Sequence, residues 1–215
     1  MSIEVSTFAW VPPFAQGLVR DLRVRWALEE AGLRYVERPV KLGENTAPDY
    51  LALQPFGQIP AYEEEGLTLF ESGAIVLYIA ERCETLLPLD PKKSARTKTW
   101  MFAALNTIEP PIMYFNHLQQ LDSPEAKALL KPIAEWMQRR LQSLAARLNV
   151  REYLEDQFTA ADLLMTTVLR ILRTTDLLNA LPSLATYQAR CEERPAFQKA
   201  LGAQMATFQN NRPHE

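Results

Sequence analysis

The chain has 215 residues, with 23 Lys and Arg against 26 Asp and Glu and a formal net charge of −3. That length predicts one large or two small domains, and the balanced charge excludes the concentrated basic face that nucleic-acid binding needs. Hydrophobic residues make up 47% of the chain, enough to fill a core, yet no apolar run is long enough for a membrane span and the first residues lack the basic, apolar pattern of a leader peptide, so a cytoplasmic protein is expected.

Residues 3–8 predict a short strand, followed by a loop with Pro12 and Pro13. Over residues 18–31 the apolar positions Leu18, Leu22 and Trp26 recur every four residues, with Val24 and Leu28 beside them, which is helical spacing. Gly32 is a suitable stop, because glycine takes the left-handed backbone of a helix C-terminus without penalty. Residues 35–40 predict a second strand, parallel to the first, since strand, helix and strand with short joins make a βαβ unit. Residues 47–53 predict a short helix with Pro48 in its first turn. Residues 59–62 and 67–70 pair as an antiparallel hairpin around Glu63, Glu64, Glu65 and Gly66, and a helix follows from about residue 72 to 82. The expected result is a small mixed sheet in the order β-α-β-α-β-β-α.

Six of the seven glycines precede residue 80. Tight turns therefore gather early, and the later chain is left to long helices. The fold class is α/β followed by all-α. The expected division is 1–85 for the first domain, 86–94 for an extended linker containing Pro88 and Pro91, and 95–215 for a helical domain. Within the latter, residues 94–121 form one long helix bent at Pro110-Pro111, because proline removes an N–H and clashes with the preceding turn. Residues 124–149 form a second. A third starts at Phe158-Thr159-Ala160-Ala161-Asp162, where Thr159 and Asp162 have capping-box spacing. That helix is apolar nearly all round and so predicts the buried centre of the domain. Asp162 is assigned to capping, not to catalysis. Residues 181–193 and 195–208 complete the bundle.

Cys83 and Cys191 are far apart, and no C-x-x-C exists. A dithiol mechanism is excluded, and both cysteines read as small structural hydrophobes. With His117 and His214 the only histidines, no metal site is expected.

The stretch from 54 to 82 carries the chemistry. Pro60 breaks a strand and exposes backbone groups that the sheet does not use. Glu71-Ser72 opens a helix, whose first N–H groups are unpaired and carry partial positive charge. Together they suit a peptide-like anion. Ser72 also reads simply as a helix cap, and these residues alone leave both readings open.

This stretch, together with Trp26-Ala27-Leu28-Glu29-Glu30-Ala31-Gly32 and Phe158-Thr159-Ala160-Ala161-Asp162, resembles the glutathione S-transferase family in order and spacing. The resemblance implies a thioredoxin-like N-terminal domain followed by an all-helical domain, assembled as a homodimer. It implies a cis bond at Ile59-Pro60 that turns the Ile59 backbone toward an extended tripeptide. It implies that Ser72 and the first helical N–H groups bind the γ-glutamyl carboxylate of glutathione, that Glu71 binds its ammonium, and that the Gln58 amide meets its backbone. Asn45 and Thr46 stand where many members carry a basic pair for the glycyl end, so either affinity is lower or Lys41 compensates.

Family chemistry activates the glutathione thiol toward an electrophile, usually through a Tyr, Ser or Cys near the end of the first strand. Between residues 9 and 22 this chain has none. The matching cysteine position falls on Pro12 and the matching serine position near Leu18. Arg20, by its charge, or Gln16, by its amide, is left to meet the sulfur, although Arg20 reads equally as a solvated helix charge. Ser6 and Thr7 read as strand residues. Trp10, Phe14 and, after the Pro110-Pro111 bend, Tyr114 are candidate walls for a small apolar electrophile. Two functions follow. One is a cytosolic glutathione transferase of the detoxifying kind. The other is a glutathione-binding or stress-associated interaction protein with vestigial catalysis.

Overall fold

The structure, a computed structural model, describes residues 2–213. Strand β1 (Ile3–Phe8) pairs in parallel with β2 (Tyr35–Val40), Ile3 opposite Tyr35 and Phe8 opposite Val40. Helix α1 (Asp21–Glu30) makes the crossover. It ends as glycine dictates. Gly32 has φ +65°, Leu33 N–H bonds to Leu28 C=O at 2.9 Å and Gly32 N–H to Glu29 C=O at 3.3 Å. This pair of reverse bonds satisfies carbonyls that the helix leaves over.

After the one-turn helix α2 (Pro48–Leu51), β3 (Ala61–Glu64) and β4 (Leu67–Phe70) form the hairpin. Its two-residue loop, Glu65-Gly66, has φ of +51° and +83°, the signature of a turn whose twist matches that of the flanking strands. Helix α3 (Ser72–Ala80) follows. The sheet order is β2-β1-β3-β4, with β3 antiparallel to both neighbours. Period-two alternation puts Val5 and Ser6 on opposite faces of β1. Val5 is fully buried, and Ser6 meets Tyr50 of α2.

The chain divides into two compact units after Leu87, and the residues from Glu193 onward group with the first of them. The sequence division had kept that last segment with the helical domain. Helix α9 (Pro195–Asn210) instead packs along α1. Trp26 and Phe197 meet edge to face with centroids 4.8 Å apart. Arg194 grips the Glu30 carboxylate at 2.6 and 2.8 Å. Beneath them Arg25, with no exposed surface, donates to Asp21 at 2.7 Å and to Glu37. Gln204 closes on Asp21 at 2.8 Å, and the Thr207 hydroxyl on Glu37. A buried charge survives only where partners of this kind replace water; α9 supplies them.

In the second unit, α4 (Pro91–Ala103) and α5 (Glu109–Gln119) are joined by a π-helical turn, Ala104–Ile108. This turn lies just before Pro110-Pro111, where the sequence predicts a bend. Widening the turn places Pro110 and Pro111 in the first turn of α5, where an N–H is not needed. Helix α6 is Pro124–Leu148, α7 is Ala160–Leu169 and α8 is Pro182–Glu192. Every residue of α7 is buried, as its all-round apolar pattern predicts. Its capping box is complete. Asp162 accepts from the Thr159 N–H at 2.9 Å and the Thr159 hydroxyl at 3.1 Å. It also accepts from the Leu154 N–H and the Tyr187 hydroxyl, each at 2.9 Å.

Candidate functional site

The Ile59-Pro60 peptide is cis, and β3 begins just after it at Ala61. A three-member hydrogen-bond chain brackets this dipeptide. The Tyr50 hydroxyl donates to the Gln58 carbonyl at 2.7 Å. Having spent its one hydrogen there, it accepts from Ser6 Oγ at 2.8 Å. Ser6 in turn accepts from the Ala61 N–H at 2.6 Å. The Tyr50 ring sits among Val40, Ile59 and Ala61, with Phe8, Val19 and Leu53 packed around them. Burial raises the Tyr50 phenol pKa, so it remains a donor at neutral pH.

The approach to this dipeptide is equally constrained. Gly57 has φ +63°, and a Cβ there would lie 2.9 Å from the Asn45 backbone oxygen. The Asn45 side-chain amide donates to the Gly57 carbonyl at 2.6 Å and accepts from the Gly43 N–H at 3.1 Å. Asn45 therefore stitches the two loops together. Thr46 Oγ1 donates to the Gly43 carbonyl at 2.8 Å. Lys41 and Gln58 are exposed.

At the start of α3, Ser72 does not serve as the helix cap. The N-cap is Glu71, at φ +69°, and no side chain caps the helix. Such a backbone conformation is rare away from glycine and is characteristic of functional sites. Ser72, the first helical residue, is 6% exposed. Its Oγ accepts from Arg23 Nη1 at 3.2 Å. Its own hydrogen is left to donate, beside helical N–H groups that carry partial positive charge. Arg23 is itself 3% exposed. The arrangement is a polarised hydroxyl over a buried cation at a helix N-terminus, which suits a carboxylate.

The 10–20 loop is a run of turns. Gln16 Nε2 donates to the Val11 carbonyl at 3.0 Å, so its amide already serves the loop. Arg20 and Trp10 are half-buried, and Phe14 is 73% exposed. In the second unit, Tyr114 stacks on Trp136 with centroids 6.4 Å apart. Among the described residues no group of three or more metal-ligating side chains comes together; His214 lies outside them. No helix among them is long and apolar enough to cross a membrane.

Sequence reasoning missed Tyr50, Ser6 as its partner, and Arg23. Tyr50 lies in the stretch that predicts a short helix and is not singled out there, and Ser6 reads as a strand residue. Arg23 stands inside a helix whose neighbours are buried, and an arginine inside an otherwise buried run was the available signal.

A mixed sheet of this order, entered by a cis-proline before β3 and followed by a helix with no side-chain cap, defines a thioredoxin-like domain. The model of the glutathione S-transferase N-terminal domain matches residues 16–81. The chain is 32% identical over 212 residues to a probable glutathione S-transferase of Oryza sativa subsp. japonica, covering 93% of this chain and 94% of that one. It is 34% identical over 199 residues to glutathione S-transferase 3 of Zea mays, covering 85% and 88%. Among solved structures, glutathione transferase F7 from Populus trichocarpa superposes with a TM-score of 0.80 at 29% identity, over 94% of this chain and 99% of that one. The chain belongs to the glutathione S-transferase family, a family of transferases.

Proposed function

We propose that this protein binds glutathione along the 58–61 segment and the start of α3, and conjugates it through its thiol sulfur to a small apolar electrophile. One observation carries the reading. The Ser72 hydroxyl is not spent on capping α3 but accepts from the buried Arg23. That leaves its hydrogen and the helix N-terminus for the γ-glutamyl carboxylate, with Glu71 exposed beside them for the ammonium. Gln58 and the backbone of Ile59 take the middle of the tripeptide. Asn45 shapes the loop near the glycyl end, and exposed Lys41 supplies the charge there. A similar solved structure, glutathione S-transferase-I, is bound with lactoylglutathione, at 27% identity and a TM-score of 0.76. That supports a glutathione-derived ligand for this fold.

Catalysis rests on the thiolate, which attacks an electrophilic centre, forms the carbon–sulfur bond and expels a leaving group or shifts its electron pair. Arg20 is the proposed activator, holding the sulfur as its anion by charge. Trp10 and exposed Phe14 offer apolar surface to the electrophile. A homodimer, a cytoplasmic location and a detoxifying role go with this reading.

A second reading is favoured by Pro12 and Leu18, which occupy the positions where relatives resembling this chain place a thiol or hydroxyl. In it the protein binds glutathione and transfers poorly. Titration calorimetry with glutathione, followed by ultraviolet titration of the bound thiol, separates the two. A lowered thiol pKa that Arg20→Ala restores toward the free value supports the transferase. Binding with an unshifted thiol supports the second reading, and the absence of binding overturns both.

A further inference from the structure

The Tyr50–Ser6 pair has a directional consequence. In a planar trans peptide the C=O and the following N–H point in opposite directions. Tyr50 draws the Gln58 carbonyl inward at 2.7 Å, so the Ile59 N–H of the same peptide faces the other way. Ser6 draws the Ala61 N–H inward at 2.6 Å, so the Pro60 carbonyl also faces the other way. Only the Ile59-Pro60 bond is cis among the described residues, so both flanking peptides are trans. The two hydroxyls thus hold the peptide planes on both sides of the dipeptide, and each proton is accounted for: Ser6 to Tyr50, Tyr50 to Gln58. Tyr50 and Ser6 are 4% and 3% exposed, so water does not compete for these bonds.

We propose that Tyr50 and Ser6 are positioning residues that aim the Ile59 backbone at the ligand and thereby set the affinity for the tripeptide main chain. The inference rests on the glutathione reading above. Neither hydroxyl touches the ligand; each acts through a backbone group of the 58–61 segment. Removing the Tyr50 hydroxyl leaves the Gln58 carbonyl and the Ser6 hydroxyl short of a partner inside the protein. The 58–59 peptide then gains by turning toward solvent, and it carries the Ile59 N–H out of alignment.

The test compares wild type, Tyr50→Phe and Ser6→Ala by calorimetric titration with glutathione and with S-methylglutathione, which has the same backbone and no free thiol. Both variants are expected to bind both ligands about tenfold more weakly, the equivalent of about 1.4 kcal/mol. The pKa of the bound glutathione thiol is expected to stay at its wild-type value. Variants that melt earlier but bind both ligands with wild-type affinity overturn the proposal, because the bonds then serve folding alone. Weakening confined to glutathione also overturns it, since the pair would then act on the thiol. If Tyr50→Phe fails to fold, Ser6→Ala carries the same readouts. Failure of wild type to bind either ligand overturns the glutathione reading itself, and this inference with it.

Discussion

Arg23 and Ser72 are 49 residues apart in the chain, and their side chains meet at 3.2 Å. The guanidinium occupies the serine's acceptor side and so orients the hydroxyl hydrogen away from itself. Ser72→Ala and Arg23→Leu are each expected to weaken glutathione binding about tenfold to hundredfold, the range for hydrogen bonds to charged groups. Because the two act as one unit, the double variant is expected to bind little worse than the weaker single. Calorimetric titration of all four proteins checks this, and fully additive losses would refute it.

Gly57 is expected to tolerate no side chain. Its φ of +63° disfavours any other residue, and a Cβ would press on the Asn45 backbone oxygen at 2.9 Å. Gly57→Ala is expected to destabilise the protein by about 2 kcal/mol. Asn45→Ala, which loses bonds to Gly43 and Gly57, is expected to cost about 1 kcal/mol. Urea unfolding midpoints measure both.

Glu37 is expected to make the first unit sensitive to acid. Burial pushes its carboxyl up, but the hydrogen bonds from Arg25 and Thr207 and the Arg25 charge outweigh burial and hold it below its ordinary value. A carboxylate with a lowered folded pKa binds fewer protons when folded. Its contribution is present above the unfolded value and lost as pH falls through the folded one. Asp21, also bonded to Arg25, runs the other way, since burial raises it and favours its protonated form. Tyr35, near the same guanidinium, is raised by burial and stays neutral. Melting temperatures of wild type and Glu37→Gln are therefore expected to differ at neutral pH and to converge as pH falls below the ordinary carboxylate range. A gap that stays constant with pH would exclude Glu37 as the source.

Asp162→Ala is expected to be among the most damaging substitutions in the second unit. It would strand the Leu154 and Thr159 N–H groups and the Tyr187 hydroxyl. The expected loss is about 3 kcal/mol or more, read from the unfolding midpoint. The same variant is expected to leave glutathione affinity unchanged when measured well below its melting temperature, because Asp162 serves folding.

Much of this fold is legible in local pattern. The βαβ spacing, the Glu65-Gly66 hairpin and the Thr159–Asp162 box each depend on neighbours in sequence, so their signals are short-range. The cis bond at Ile59-Pro60 was available only through family resemblance. What stayed hidden joins distant residues. Nothing near Tyr50 announces Ser6, 44 residues away, and nothing near Arg23 announces Ser72. Asp21 and Arg25 do carry the i,i+4 spacing of a helical ion pair, but such pairs are ordinarily solvated and imply no buried network. Residues 195–208 read as a helix of the bundle, and nothing in that stretch says which surface it covers. That is why its place beside α1 went unread.

The placement of α9 makes the first unit discontinuous along the chain. A ribosome completes β1 through α3 while the helix that will cover Asp21 and Arg25 is more than a hundred residues from being made. During that interval the nascent sheet and helices hold an ion pair with only part of its shelter. Excising residues 1–87 as a stand-alone piece would fix that interval permanently. Appending the α9 segment through a short linker is the minimal repair.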